Sequence, residues 1–171
     1  TAPAPPPPPP AAPAAGVQVV DTAGGTVYPS IAGTAAPGDT VTVHLGSTTR
    51  VTTADISGNW SVSWKEWEGA ISAGSTLPVV ATAGQNPAPA SGGSIRLAAP
   101  GIQSIPQGFS ISGTPGAQVQ ITGAPGVGVV QLDGSGTYTG YLDTGSYTIS
   151  ARYWASPRYG PYSGATAVTV A

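Results

Sequence analysis

Few side chains in this sequence could do chemistry, and their spacing decides which chemistry that is. His44 is the only histidine, and there is no cysteine. One imidazole without a thiol or a second histidine supplies neither a metal-ligand set nor a Ser–His–Asp arrangement. It falls on the threonine-bearing face of "DTVTVHL", where a solvated strand residue is expected. Glu66 and Glu68, in "WKEWEG", are the only carboxylates close together in the chain. A glycosidase holds two carboxylates on opposite sides of a cleft, whereas two on one exposed insertion read as a charged loop. Calcium between repeats is the minority alternative. It would need about six oxygens or more, and no dense acidic loop provides them. No catalytic residue, resident metal or cofactor is therefore expected.

What the chain does offer is contact chemistry, in two loops. In "SWKEWEGAIS" (63–72), Trp64 continues an inward-facing alternation and is expected in the core. Trp67 lies beyond that alternation. It either folds back to cap the end of its unit or stands exposed beside Lys65 and Glu66 as a glycan-stacking or protein-contact spot. In "RYWASPRYGPYSG" (152–164), Tyr153 is in phase with Tyr147, Ile149 and Ala151 and points inward, while Arg152 and Trp154 point outward. Arg158, Tyr159 and Tyr162 follow in a turn carrying Pro and Gly. Tyr, Trp and Arg are the types enriched where interfaces concentrate their binding energy, and loops carry binding more often than strands do. The candidate contact residues are thus Lys65, Glu66, Trp67, Arg152, Trp154, Arg158, Tyr159 and Tyr162.

The elements that must hold these loops are short strands. Only 7% of the 171 residues are charged, with a net charge of -2. The five Lys and Arg residues are scattered, so no basic stripe exists to neutralise phosphates and nucleic acid is not an expected partner. No apolar run approaches the ~20 residues that span a bilayer. The first residue is Thr, which fits either a removed signal peptide or a trimmed initiator Met. Residues 1–16, "TAPAPPPPPPAAPAAG", favour polyproline II, a stiff arm of about 50 Å. From Val17 the pattern is period two. "DTVTVHL", "NWSVSW", "AQVQITG", "SYTISARY" and "ATAVTV" each alternate apolar with polar residues, separated by Gly, Pro, Asp and Asn. "NWS" also fits a glycosylation sequon at Asn59, although the turn alone accounts for that residue.

The sequence repeats itself. "SIAGTAAPGDTVTV" (30–43) matches "SISGTPGAQVQI" (110–121), "DISGNW" (55–60) matches "DGSGTY" (133–138), and "LPVVATA" (77–83) corresponds to "YTISARY" (147–153). Three blocks in one order indicate duplication of a unit. In each copy the Asp phrase is a turn followed by a core aromatic. Asp accepts from backbone N–H groups ahead of it, and Gly supplies a positive φ. "DTGSY" places Tyr147 at the head of a late strand, where its hydroxyl can bond back to the corner, as in the tyrosine corner of Greek-key sandwiches. The first copy has Leu77 there, followed by Pro78. It also carries about eight extra residues around "KEWEGAIS".

These marks resemble the bacterial Ig-like (Big-type) domain family of bacterial surface proteins and phage virions. The resemblance implies about seven strands per copy, no cofactor and no enzymatic activity, and it carries over no site residue. The expected fold is all-β: two tandem Ig-like Greek-key β-sandwiches, at 17–98 and 99–171, preceded by the Pro-rich arm at 1–16. The expected function is non-enzymatic and structural, on the surface of an extracellular assembly, first as a virion decoration, head-fibre or tail protein. Its partners there are other subunits of the same assembly. The alternatives are a secreted bacterial adhesin or stalk module binding a host glycan or protein, and a filament subunit donating the strand near Val17–Val20.

Overall fold

The computed structural model describes residues 16–20, 23–84 and 86–171. The expected polyproline arm, apart from Gly16, lies outside the described residues. The first set of strands is β1 (Gly16–Val20), β2 (Ser30–Thr34), β3 (Thr40–Leu45), β4 (Thr48–Thr53), β5 (Asn59–Val62), β6 (Thr76–Ala83) and β7 (Asn86–Arg96). The second set is β8 (Gly101–Ile105), β9 (Gly108–Ser112), β10 (Gln118–Thr122), β11 (Val129–Gln131), β12 (Thr137–Tyr141), β13 (Gly145–Ala155), β14 (Arg158–Tyr159) and β15 (Thr166–Val170).

The two sets pair alike, apart from the additional strand β14 in the second. In the first, one sheet is ordered β1-β2-β5 and the other β4-β3-β6-β7; in the second, β12-β9-β8 faces β11-β10-β13, with β14 and β15 both pairing β13. All pairings are antiparallel. The chain changes sheet between β2 and β3, between β4 and β5, and between β5 and β6. The same crossings recur in the second set, which is Greek-key connectivity. The protein is therefore all-β, as its alternating runs predict.

Alternation places the cores. Val41, Val43 and Leu45 of β3 are buried, as are Trp60 and Val62 of β5, while Thr40, Asn59 and Ser61 face water. One buried cluster gathers residues from Tyr28 to Leu97 and another gathers residues from Phe109 to Val170. Each large apolar side chain so buried contributes about 1.5–3 kcal/mol.

The repeated Asp phrase behaves as turn chemistry requires. Asp55 Oδ1 accepts from the Ser57 and Asn59 N–H groups at 2.8 and 2.9 Å. Asp133 Oδ1 accepts from Ser135 and Thr137 N–H at 2.9 and 2.8 Å. Gly58 and Gly136 both sit at φ 79°, the left-handed region that glycine occupies without steric cost. Asp133 additionally accepts from the Ser135 and Thr137 hydroxyls at 2.7 and 2.9 Å. Those bonds hold its carboxyl at about 2, well below the usual carboxylate range, with the Thr137 backbone N–H the largest cause. The tyrosine corner also forms: the Tyr147 hydroxyl donates to the Asp143 carbonyl at 3.1 Å. Pro78 sits at a register shift between β6 and β7, where its missing N–H disrupts no regular ladder.

Of the two readings of Trp67, the structure shows the fold-back: it is fully buried and is no surface contact spot. The expectation for Trp64 is corrected, since it is only half-buried instead of lying in the core. The reason is local. After β5 the chain enters a 3-10 turn at Trp64–Trp67. The period-two alternation ends there, and three residues per turn bring Trp67 round onto the core side.

Candidate functional site

The candidate site lies where the two sandwiches meet. Four residues, 97–100, connect β7 to β8. On one side of the meeting are the β1–β2 connection, with Tyr28, and the insertion 63–75. On the other is the long hairpin of β13 and β14, whose turn contains a cis Ser156–Pro157 peptide. β13 runs for 11 residues. Its first five pair with β15 and the next five with β10; Trp154, the last of these, and Ala155 also form the two-pair hairpin with β14.

That hairpin is laid against the first sandwich. Tyr28 N–H donates to the Tyr159 carbonyl at 3.0 Å. The Arg158 guanidinium donates to Ser30 Oγ, the first residue of β2. Gly160 packs so tightly on the β1–β2 connection that an added Cβ would overlap the Thr26 carbonyl oxygen. Tyr159 is the centre of an aromatic cluster drawn from both halves. Its ring stacks on Trp154 at 5.9 Å and 12°, and meets Trp64 edge-on at 5.0 Å and 81°. It also meets Tyr28 edge-on at 6.4 Å. Such pairs contribute roughly 0.5–1.5 kcal/mol each beyond their area.

Arg152 clamps this cluster electrostatically. Its guanidinium lies 3.6 Å from the Tyr159 ring centre and 4.5 Å from that of Tyr162. Its Nε donates to Gln120 Oε1 at 2.7 Å, and its Nη1 is 4.0 Å from Glu68 Oε1 across the junction. The Arg152 side chain is 14% exposed, so little water screens these contacts. Glu68 accepts from the Tyr159 hydroxyl. That hydrogen bond is the largest reason the Tyr159 hydroxyl is pushed above its ordinary value, with burial and the Glu68 charge adding to it. Tyr28 is pushed up as well, chiefly by burial.

The eight expected contact residues therefore have different fates. Arg152, Trp154, Arg158 and Tyr159 are brought together: Trp154 stacks on Tyr159 of its own hairpin, and the partner of the other three is the other half of the same chain. Tyr162 joins them through Arg152 and keeps 42% of its surface exposed. Lys65 and Glu66 are exposed on the insertion: Lys65 Nζ sits 5.7 Å from the Trp64 ring, and Glu66 lies 3.8 Å from Arg50. Trp67 is in the core, with Arg50 at 5.6 Å from its ring. Tyr28 and Glu68 were not expected at a site. The only signal for Tyr28 is one aromatic in the otherwise small-residue stretch between β1 and β2.

Among the described residues, no group of three His, Cys, Asp or Glu side chains comes together to hold a metal ion. His44 Nδ1 is hydrogen-bonded to Thr49 Oγ1 at 3.0 Å on a sheet face. No helix of the described residues is long and apolar enough to cross a membrane.

No protein-family model matches the sequence, and no curated protein matches it. The resemblance to bacterial Ig-like domains therefore remains one of motifs. Solved structures match in part. A tetra-tandem repeat in the extending region of a large adhesion protein aligns with 92% of this chain and 49% of its own, at 18% identity and TM-score 0.40. The BSP domain of a biofilm associated protein aligns with 94% of this chain and 29% of its own, at 18% identity and TM-score 0.35. A Ca2+-stabilized adhesin, described as helping an Antarctic bacterium reach out and bind ice, aligns with 92% and 48%, at 18% identity and TM-score 0.31. The chain spans less than half the length of each. At these scores the matches add nothing to what the strands of this chain show by themselves.

Proposed function

We propose that this chain is a non-enzymatic spacer: two sandwiches locked end to end, forming part of a bacterial cell-surface adhesin or stalk. The observation that carries this reading is the β13–β14 hairpin, which reaches past its own sandwich and is fastened to the first one by Tyr28, Ser30 and Glu68. Domains joined by a short linker move relative to one another unless their interface is large and apolar. Here aromatic packing, a backbone hydrogen bond and a shielded Arg152 oppose that motion. A fixed joint suits a protein that must hold something at a distance.

The virion reading drew on a Pro-rich arm before two modules, on sparse charge, and on contact residues present without reactive groups, those of the aromatic loop 152–164 among them. That loop is occupied within the chain, which is why the stalk reading ranks above it. The filament reading needs β1 to leave its chain, whereas β1 pairs over five residues with β2. The remaining partners of such a spacer are neighbouring modules and a surface ligand.

Residual dipolar couplings of the isotope-labelled chain test the proposal. One alignment tensor fitting both sandwiches is the expected result. Two tensors of clearly different magnitude and orientation would sink it.

A further inference from the structure

The geometry points to a binding site for a neutral pyranose in the cleft beside the joint; the inference rests on the docked arrangement proposed above. The cleft has a volume of about 380 Å3 and is lined by Tyr28, Glu68, Ser72, Arg152, Pro161 and Tyr162, among others. Ligand pockets run from about 300 to 1,000 Å3 and occur preferentially between domains. One wall is Tyr162, a residue 42% exposed although Arg152 lies over its ring. An exposed aromatic ring matches the apolar C–H face of a sugar. Its edge is polar. Glu68 has a side chain 46% exposed and lies 4.0 Å from Arg152.

Charge decides the ligand class. Arg152 and Glu68 are of opposite sign and face one another, so the cleft has no unbalanced charge for a phosphate, a sulfate or a uronate. What remains is hydrogen-bonding capacity. A carboxylate offers about four acceptor sites, of which Glu68 directs one to the Tyr159 hydroxyl and one toward Arg152. A guanidinium has five N–H donors; that of Arg152 gives Nε to Gln120, holds Nη1 4.0 Å from Glu68 and also reaches the Tyr159 hydroxyl. A planar acceptor beside a planar donor suits two neighbouring hydroxyls of one ring, while Tyr162 covers that ring's apolar face. Ser72 adds a hydroxyl on the first-sandwich side.

The test is a titration of the full isotope-labelled chain with the methyl glycosides of glucose, galactose and mannose at millimolar concentration, read by amide shifts. Shifts confined to residues around Glu68–Ser72 and Arg152–Tyr162, with at least one glycoside, are expected. Tyr162→Ala should weaken that binding by about tenfold, the scale of one lost aromatic contact, and Tyr162→Phe should retain it. No shifts with any of the three, shifts elsewhere, or equal binding by Tyr162→Ala would overturn the assignment. So would tighter binding of glucuronate than of the glucoside. The dipolar couplings keep the two failures apart: one tensor without glycoside binding removes the cleft and leaves the spacer standing, whereas two tensors remove the spacer whatever binds.

Discussion

The corner between the fifth and sixth strands is built differently in the two sandwiches. In the second, Tyr147 at the head of β13 ties the corner with one hydroxyl bond to the Asp143 carbonyl. In the first, Leu77 stands in that place and the tether comes from elsewhere. The Tyr28 hydroxyl donates to the Ile71 carbonyl at 3.3 Å and accepts from Gly69 N–H at 3.4 Å. A tyrosine on the β1–β2 connection thus does for the first corner what Tyr147 does for the second. Moving the tether off β6 leaves room for the insertion, whose 3-10 turn drops Trp67 into the core and turns Trp64 and Glu68 toward the other sandwich. The same corner is a closed end in one copy and a socket in the other.

The sharpest way to break this contrast is Trp67→Ala. Removing a fully buried indole should cost about 3–5 kcal/mol in urea unfolding. Trp67→Phe should cost much less, because the indole N–H finds no protein acceptor among the described residues and its loss leaves nothing unpaired. A small effect of Trp67→Ala would mean the insertion is not anchored through the core. Gly160→Ala comes next. The added methyl overlaps the Thr26 carbonyl, so the sandwiches should stay folded while scattering shows them separating; an unchanged profile would deny the close approach. Tyr28→Phe should then cost about 1–2 kcal/mol and Tyr147→Phe under about 1 kcal/mol, since the first removes two partners and the second one more exposed bond. Calorimetry showing the reverse order would deny that Tyr28 has taken over the corner.

The smallest effect concerns acid. Asp133 has its carboxyl lowered from 3.8 to about 2 in the folded protein. A lowered value means its stabilisation is complete above 3.8 and is lost as the pH falls through about 2. Asp133→Asn should flatten the acid limb of stability over that window. An unchanged limb would show that the Ser135 and Thr137 bonds do not favour the charged form.

The strands were legible because each repeats apolar and polar residues with period two, and both Asp phrases were legible because their chemistry is local. Tyr147 could be read for the same reason: its acceptor is four residues away. The joint could not. Arg152 and Trp154 do point away from their own sheet, as alternation requires, and Tyr159 lies against both, but the residues that Arg152 and Tyr159 meet across the joint, Glu68, Trp64 and Tyr28, lie 84 or more residues earlier. Trp67 could not be placed because a turn of three residues replaced the strand period after Trp64 and brought it to the core side. Tyr28 carries no local pattern at all, and its role appears only once Gly69 and Ile71 are folded beside it.

The hairpin of β13 and β14 overlaps the sandwich it fastens to, as boards overlap in a lap joint. Tension drawn along the molecule is then met first by that overlap, sliding in shear, before the four-residue connection at 97–100 is pulled straight. In a pulling experiment the joint should yield as one short early step, ahead of the rupture of either sandwich, and re-form when the force is relaxed.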